Sequence, residues 1–335
     1  MSGALSRVTA NASAPALLAL AVVIAVLVAI EPALISTSTG FNILTQAAVT
    51  VIIASGFAVA MLSGQLDLSV GATAVLAGVV AMHLQEQSIA VSLVAGLLVG
   101  CAVGAVNGLL VTRLGVPSLL ATLGTLIAAR GVAFFYSGGR PVQGQMPDVA
   151  ASLNSSFLGV LSIRICLAIA VVVIVDATIR RTVWGRRVMA TGGNPKAAQA
   201  VGVSVNRITM QALVLSGSLA AAGGTLQAYL LNSATPAGGE ATLVAVIAGV
   251  VVGGVALTGG RGSVAGAALG VLLIATVTVG MNLIGVDSAY QRILVGGLLL
   301  LVVLTSAPQI ARALRKRQGG DRTRRGALDV SSQIG

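Results

Sequence analysis

Apolar residues fill this chain in long, nearly unbroken blocks, separated by short polar junctions. Residues 16–30 read ALLALAVVIAVLVAI, and residues 293–304 read ILVGGLLLLVVL. A helix needs about 20 mostly apolar residues to cross the hydrocarbon core of a bilayer. Breaks in the pattern place spans at 15–35, 43–62, 68–85, 89–112, 117–136, 163–180, 208–231, 242–258, 264–284 and 291–307. The expected fold is an all-α polytopic membrane protein of about ten transmembrane helices. A membrane barrel would instead show alternating segments of about ten residues, and none occurs. The first block reaches Ile35, which is long for the core of a secretory signal peptide, so it reads as a retained span.

Composition agrees. Of 335 residues, 56% are hydrophobic and 9% charged, against about 25% charged in a soluble domain. Most of the chain therefore has no water to face. The net charge of +11 does not point to nucleic acid, because the basic residues sit in a few junctions and the tail, without interleaved aromatics. With the N-terminus in the cytoplasm, sixteen of the 20 basic residues fall inside. These are Arg7, Arg113, a cluster at Arg180, Arg181, Arg186, Arg187, Lys196 and Arg207, then Arg261 and seven in the tail. Arg130, Arg140, Arg164 and Arg292 stay outside, with Glu31, Glu86, Asp148, Glu240 and Asp287. Lys and Arg are retained on the cytoplasmic side, so an even number of spans with both termini cytoplasmic is expected. Residues 1–14 then form a cytoplasmic N-terminus, 15–307 the transmembrane domain, 181–207 a cytoplasmic loop and 308–335 a basic cytoplasmic tail.

Chemistry-bearing side chains are few. Cys101, Cys166 and the single His83 have no metal-ligand spacing, so no metal site and no catalytic constellation is expected. Asp67 opens the third span, where a carboxylate suits a helix N-terminus; an acid in a span is also a candidate for substrate or ion binding. Asp176 precedes Arg180 by four residues and reads as a local ion pair. No proton relay is evident. Asn107, Thr122, Thr125, Ser216, Gln227 and Asn282 are polar residues inside apolar spans, suited either to a substrate pathway or to helix–helix hydrogen bonds. Two glycine turns, MLSGQLDLSVGATAVLAG at 61–78 and ALTGGRGSVAGAALGVLL at 256–273, resemble each other. The match is short and suggests a parallel internal repeat.

The cytoplasmic loop contains NPKAAQAVG at 194–202. Asn194 is a favoured N-cap, Pro195 fits the first helical position, Lys196 to Ala200 are good helix formers and Gly202 is a helix stop. A helix of about two turns cannot stand alone in water. It reads as a docking element for a cytoplasmic partner or as an ordered loop.

At this point the chain resembles a known family. TGGNPKAAQAVGV at 191–203 is similar to the cytoplasmic loop motif of ABC permeases of the ribose/xylose/galactoside class. GQLDLSVGA at 64–72, VPSLLATLGTLIAARGVAFFYSGGRPV at 116–142, GGRGSVAGAALGVLLI at 259–274 and NLIGVDSAYQRILVGGLLLLVV at 282–303 resemble further family segments, in family order. The resemblance implies the permease subunit of an ATP-driven importer in a bacterial cell membrane. It implies a second permease subunit, identical or related, and an extracytoplasmic sugar-binding protein that delivers a small sugar or related polyol. It implies a separate ATPase that binds the ATP and docks on a coupling helix containing Gly192, Gly193, Asn194, Pro195, Lys196, Ala197, Ala198 and Gly202. The turn motifs it singles out are Asp67, Ser69 and Gly71, then Gly260, Arg261 and Gly262. The chain itself needs no cofactor, and GGRGS at 259–263 lacks the Gly-Lys-Ser/Thr ending of a phosphate loop. Two stretches depart from the family. Leu243 and Ala245 stand where acids are common, and Val295 stands where a lysine is frequent, which fits the loss of a charge pair. An ion-coupled secondary transporter is the alternative, and it lacks a buried relay; a scaffold role leaves the capped helix unexplained.

Overall fold

The computed structural model describes residues 2–157, 159–297 and 300, with residues 2–13 as backbone only. Among these residues the chain forms twelve α-helices, one 3-10 helix and one two-stranded sheet. In order they are α1 (Ser2–Ile30), the 3-10 turn Pro32–Ile35, α2 (Thr37–Leu62), α3 (Val70–Leu84), α4 (Ile89–Thr112) and α5 (Ser118–Ser137). Then come β1 (Val142–Gln143), α6 (Pro147–Asn154), α7 (Ile163–Arg181), α8 (Val183–Gly193), α9 (Pro195–Ala200) and α10 (Val205–Leu231). Last are β2 (Ser233–Ala234), α11 (Glu240–Val252) and α12 (Val264–Leu283). Helical backbone resumes over 288–297. The rest of the expected last span and the tail at 308–335 lie outside the described residues.

Five helices, α2, α4, α5, α10 and α12, are long and apolar enough to cross a membrane. Local chemistry moved several expected boundaries. The first block stops being α-helical at Ile30, because Pro32 cannot continue the ladder and the Glu31 carboxylate accepts the Ala33 N–H at 3.2 Å to start the 3-10 turn. The second span begins at Thr37 rather than 43, since the Ser36 hydroxyl caps it through the Thr39 N–H at 3.3 Å. The eighth ends at Val252, six residues before its expected end at 258, where Gly253 closes the helix and Gly254 turns left-handed at φ 85°. With 15 and 13 residues, α3 and α11 extend only about 22 and 20 Å, short of the roughly 30 Å hydrocarbon core. Each is half of a broken pair, α2–turn–α3 and α11–turn–α12. The segment 138–162, expected as an outer loop, carries β1 and α6.

α10 lies at the centre, against α2, α3 and α4. The reason is legible in α4, where Gly96, Gly100, Gly104 and Gly108 recur every four residues and form one stripe. A Cβ on Gly100 would overlap the Gly217 carbonyl, and one on Gly104 would come within 2.6 Å of the Leu213 carbonyl oxygen. Absent side chains let the two backbones touch, the usual means of helix association where lipid is as apolar as leucine. The opposite face of α4 leaves Leu93, Val94, Leu97 and Leu98 exposed, as a lipid-facing surface does.

Junctions expected on one side of the membrane come together. At one end β1 pairs antiparallel with β2, the Gln145 amide donates to the Glu86 carboxylate, and Arg130 on α5 pairs with Glu240 on α11. At the other end the Asn206 amide reaches the Thr112 carbonyl at 3.4 Å, and the loop at 256–262 meets the end of α2. The helices therefore alternate in direction.

Candidate functional site

The broken pair α2–α3 turns at Gly64, whose φ of 83° requires glycine in practice. The turn is irregular backbone, tolerated at membrane depth only when its polar groups are satisfied within the protein. Helix α5 supplies the partners. The Leu66 N–H donates to the Ser118 hydroxyl at 3.3 Å, and the Leu68 N–H to the Thr122 hydroxyl at 3.1 Å. The Thr122 hydroxyl has the Ser118 carbonyl at 2.8 Å and the Leu66 carbonyl at 3.1 Å within donating distance.

Asp67 does not occupy the N-cap of α3. Ser69 does, without a side-chain capping bond. Asp67, wholly buried, closes a local turn instead: its Oδ1 accepts the Ser69 N–H at 3.1 Å and the Ser69 hydroxyl at 2.5 Å. The Asn107 amide on α4 donates to the Ser69 hydroxyl at 2.9 Å, and the Thr125 hydroxyl donates to Asn107 Oδ1 at 2.6 Å. Ser216 of α10 faces the same carboxyl without a hydrogen bond to it. Four of the six polar span residues thus meet at one turn, and all but Thr125 are fully buried. They join α3, α4, α5 and α10. Gln227 and Asn282 are elsewhere and exposed; Asn282 accepts from the Gln291 amide at 2.6 Å.

The second turn, between α11 and α12, is also rich in glycine. It has left-handed glycines at Gly254, Gly259, Gly260 and Gly262, then a serine N-cap at Ser263 and a helix that begins on valine. Here the cap is made, with the Gly266 N–H on the Ser263 hydroxyl at 3.0 Å. Asp176 of α7 adds to this end. It accepts the Ala265 N–H at 3.0 Å and pairs with Arg180 at 2.5 Å, the expected i,i+4 partner.

The loop residues at 181–207 form two helices rather than one continuous element over 192–203. Gly192 and Gly193 end α8, and Asn194 separates it from α9. The Asn194 side chain accepts the Ala197 N–H at 3.1 Å, Pro195 holds the first position, and Gly202 turns left-handed at φ 82°. Ala198 is buried against the protein, while Lys196, Ala197 and Gln199 face out. Gly192 packs where both glycine turns meet: a Cβ there would overlap the Leu62 carbonyl and stand 2.6 Å from the Gly260 nitrogen. Arg261 is exposed beside this junction. Only the tertiary structure brings these three segments together; glycine in each was the available signal.

Of the departures, Leu243 packs against Gly71 of α3, and Val295 joins the apolar cluster of α1 and α12. The two side chains belong to different clusters, and nothing in their packing marks a lost charge pair.

A family profile described as "Branched-chain amino acid transport system / permease component" matches residues 39–303. The ribose import permease protein RbsC of Bacillus subtilis is 34% identical over 291 residues, 86% of this chain and 90% of that protein. The autoinducer 2 import system permease protein LsrC of Enterobacter sp. is 35% identical over 312 residues, 92% and 90% of the two chains. The L-arabinose ABC transporter permease protein AraH of Azospirillum brasilense is 37% identical over 243 residues, 72% and 71%. No solved structure matches. A helical membrane protein matched over most of its length by import permeases is a membrane component of a transport system. The chain belongs to this family of transport-system permeases.

Proposed function

We propose that the chain forms the membrane pathway of an ATP-driven importer in a bacterial cell membrane. It carries a small sugar or related polyol, delivered to its outer mouth by an extracytoplasmic binding protein. Relatives named for ribose and L-arabinose support the substrate class. The pathway spans residues 15–307 with about ten crossings arranged as a parallel repeat around the two broken pairs, and both termini are cytoplasmic. Two permease subunits, identical or related, face each other, and the polar turn at Asp67, Asn107, Thr122 and Thr125 steadies the half-helix α3 beside the pathway.

The observation that carries the reading is the seat of α8 and α9. Gly192 lies against both glycine turns while the outer face of α9 stays free. An ATPase gripping α9 as a coupling helix would move α8, and through Gly192 it would move the end of α2 and the turn before α12 together. A flexible loop would absorb such motion. The test is Ala197→Glu, which places a bulky charge on the exposed face and leaves buried Ala198 intact. The partner ATPase should no longer co-purify, and ATP-driven uptake should fall to background, while the protein stays in the membrane. Normal co-purification and uptake would refute the coupling role.

A further inference from the structure

We propose that the junction of α8 and α10 binds the phosphate of an anionic phospholipid headgroup, a site that goes beyond the transport reading. A cavity of about 380 Å³ opens there, and Trp184, Arg187, Ser204, Arg207, Ile208 and Gln211 are on its walls. Two guanidinium groups from different helices share this space, and its lining includes no acidic residue. Among the described residues the ion pairs are Arg130–Glu240 and Arg180–Asp176, so neither Arg187 nor Arg207 has a carboxylate partner. Like charges gathered at one wall repel; an anion between them turns that repulsion into attraction. The planar fork of arginine matches phosphate oxygens in pairs.

Position favours a lipid as the source. Arg207 is in the first turn of α10, a helix long and apolar enough to span. Arg187 is in α8, which follows the last residues of α7 after a single linking residue. Arg207 is therefore at a span end, and Arg187 shares its cavity; at headgroup level such basic pockets between helices attract anionic lipid. The rest of the wall is amphipathic. The Trp184 indole N–H donates to Gln211 Oε1 at 2.8 Å, which fixes the ring and leaves the Gln211 amide NH2 as a further donor. Trp rings favour this depth. Buried Ile208 supplies an apolar wall for the glycerol end, and the Ser204 hydroxyl supplies another donor. A bound headgroup would tie α8 to α10 directly behind α9.

Trp184 is the only tryptophan in the chain, so its emission reports on the cavity. The full-length protein in neutral detergent is titrated with short-chain phosphatidylglycerol, phosphatidylcholine and glycerol phosphate. Phosphatidylglycerol should give a saturable change at a concentration at least about tenfold below phosphatidylcholine. R187Q and R207Q should each raise half-saturation about fivefold, the scale of one basic residue near an anionic surface. R186Q, an exposed arginine of α8 outside the lining, should leave it unchanged. Equal responses to the two lipids overturn the site, as does an R186Q effect as large as that of R207Q, which means diffuse attraction. Glycerol phosphate saturating at the same concentration as phosphatidylglycerol overturns the lipid assignment in favour of a free-phosphate site. If a glutamine variant does not fold, the two-lipid comparison on the unaltered protein still decides.

Discussion

The backbone N–H of Gly260 donates to the carbonyl of Leu62 at 3.0 Å. This bond joins the turn before α12 to the last residue of α2, so at this point the two broken helix pairs touch main chain to main chain. Gly192, near the end of α8, fills the remaining space. Backbone contact of this kind transmits displacement, since no rotatable side chain lies between the parts.

The first prediction tests that contact. Gly192→Ala places a Cβ on the Leu62 carbonyl, whereas one at Gly193 meets nothing closer than the Gly260 Cα at 3.9 Å. Overpacking costs about 1–3 kcal/mol. Gly192→Ala should lower the melting temperature of the purified protein and reduce transport. Gly193→Ala should behave as the unaltered chain. Similar effects from both would mean that the junction is loose.

Asp67 holds its turn through Oδ1, which accepts both Ser69 bonds. Asn keeps an accepting oxygen at that place, and Ala does not. Leaving buried donors without a partner costs about 1–3 kcal/mol each. Asp67→Asn should keep most of the folded yield in the membrane, and Asp67→Ala should lose most of it. Equal losses, read by detergent gel filtration, would show that charge rather than hydrogen bonding matters.

The glycine stripe on α4 gives a paired test. Gly100→Ala would overlap the Gly217 carbonyl, while Gly124 on α5 is exposed with nothing within 4 Å of an added Cβ. Gly100→Ala should destabilise by a few kcal/mol as α10 is forced from α4. Gly124→Ala should be neutral or slightly stabilising, by less than about 1 kcal/mol, because alanine is the better helix former. Thermal unfolding in detergent distinguishes them.

Orientation is tested by labelling. In a chain stripped of Cys101 and Cys166, Asp148→Cys should react with an impermeant thiol reagent in intact cells, and Lys196→Cys should react only after the membrane is opened. The reverse pattern would invert the orientation expected from the basic residues.

Membrane character, helix identity and most span boundaries were determined by the sequence itself. Each depends on neighbours in the chain: twenty apolar residues must find lipid whatever else they touch, and a cap such as Asn194 acts on an N–H three residues away. The four-residue spacing of glycines in α4 likewise marked a contact face, though not which helix would cover it. The shortness of α3 and α11 was harder to read, because an apolar run looks the same whether it crosses the bilayer or stops partway beside a buried turn. Which polar residues meet was decided by tertiary structure alone. Nothing local distinguishes Asn107 and Thr122, gathered at Asp67, from Gln227, which faces out. The meeting of Gly64, Gly192 and Gly260 has the same cause. Glycine permits a close approach, but its partner is chosen by the packing of whole helices, a property of the assembled bundle that no short stretch of chain contains.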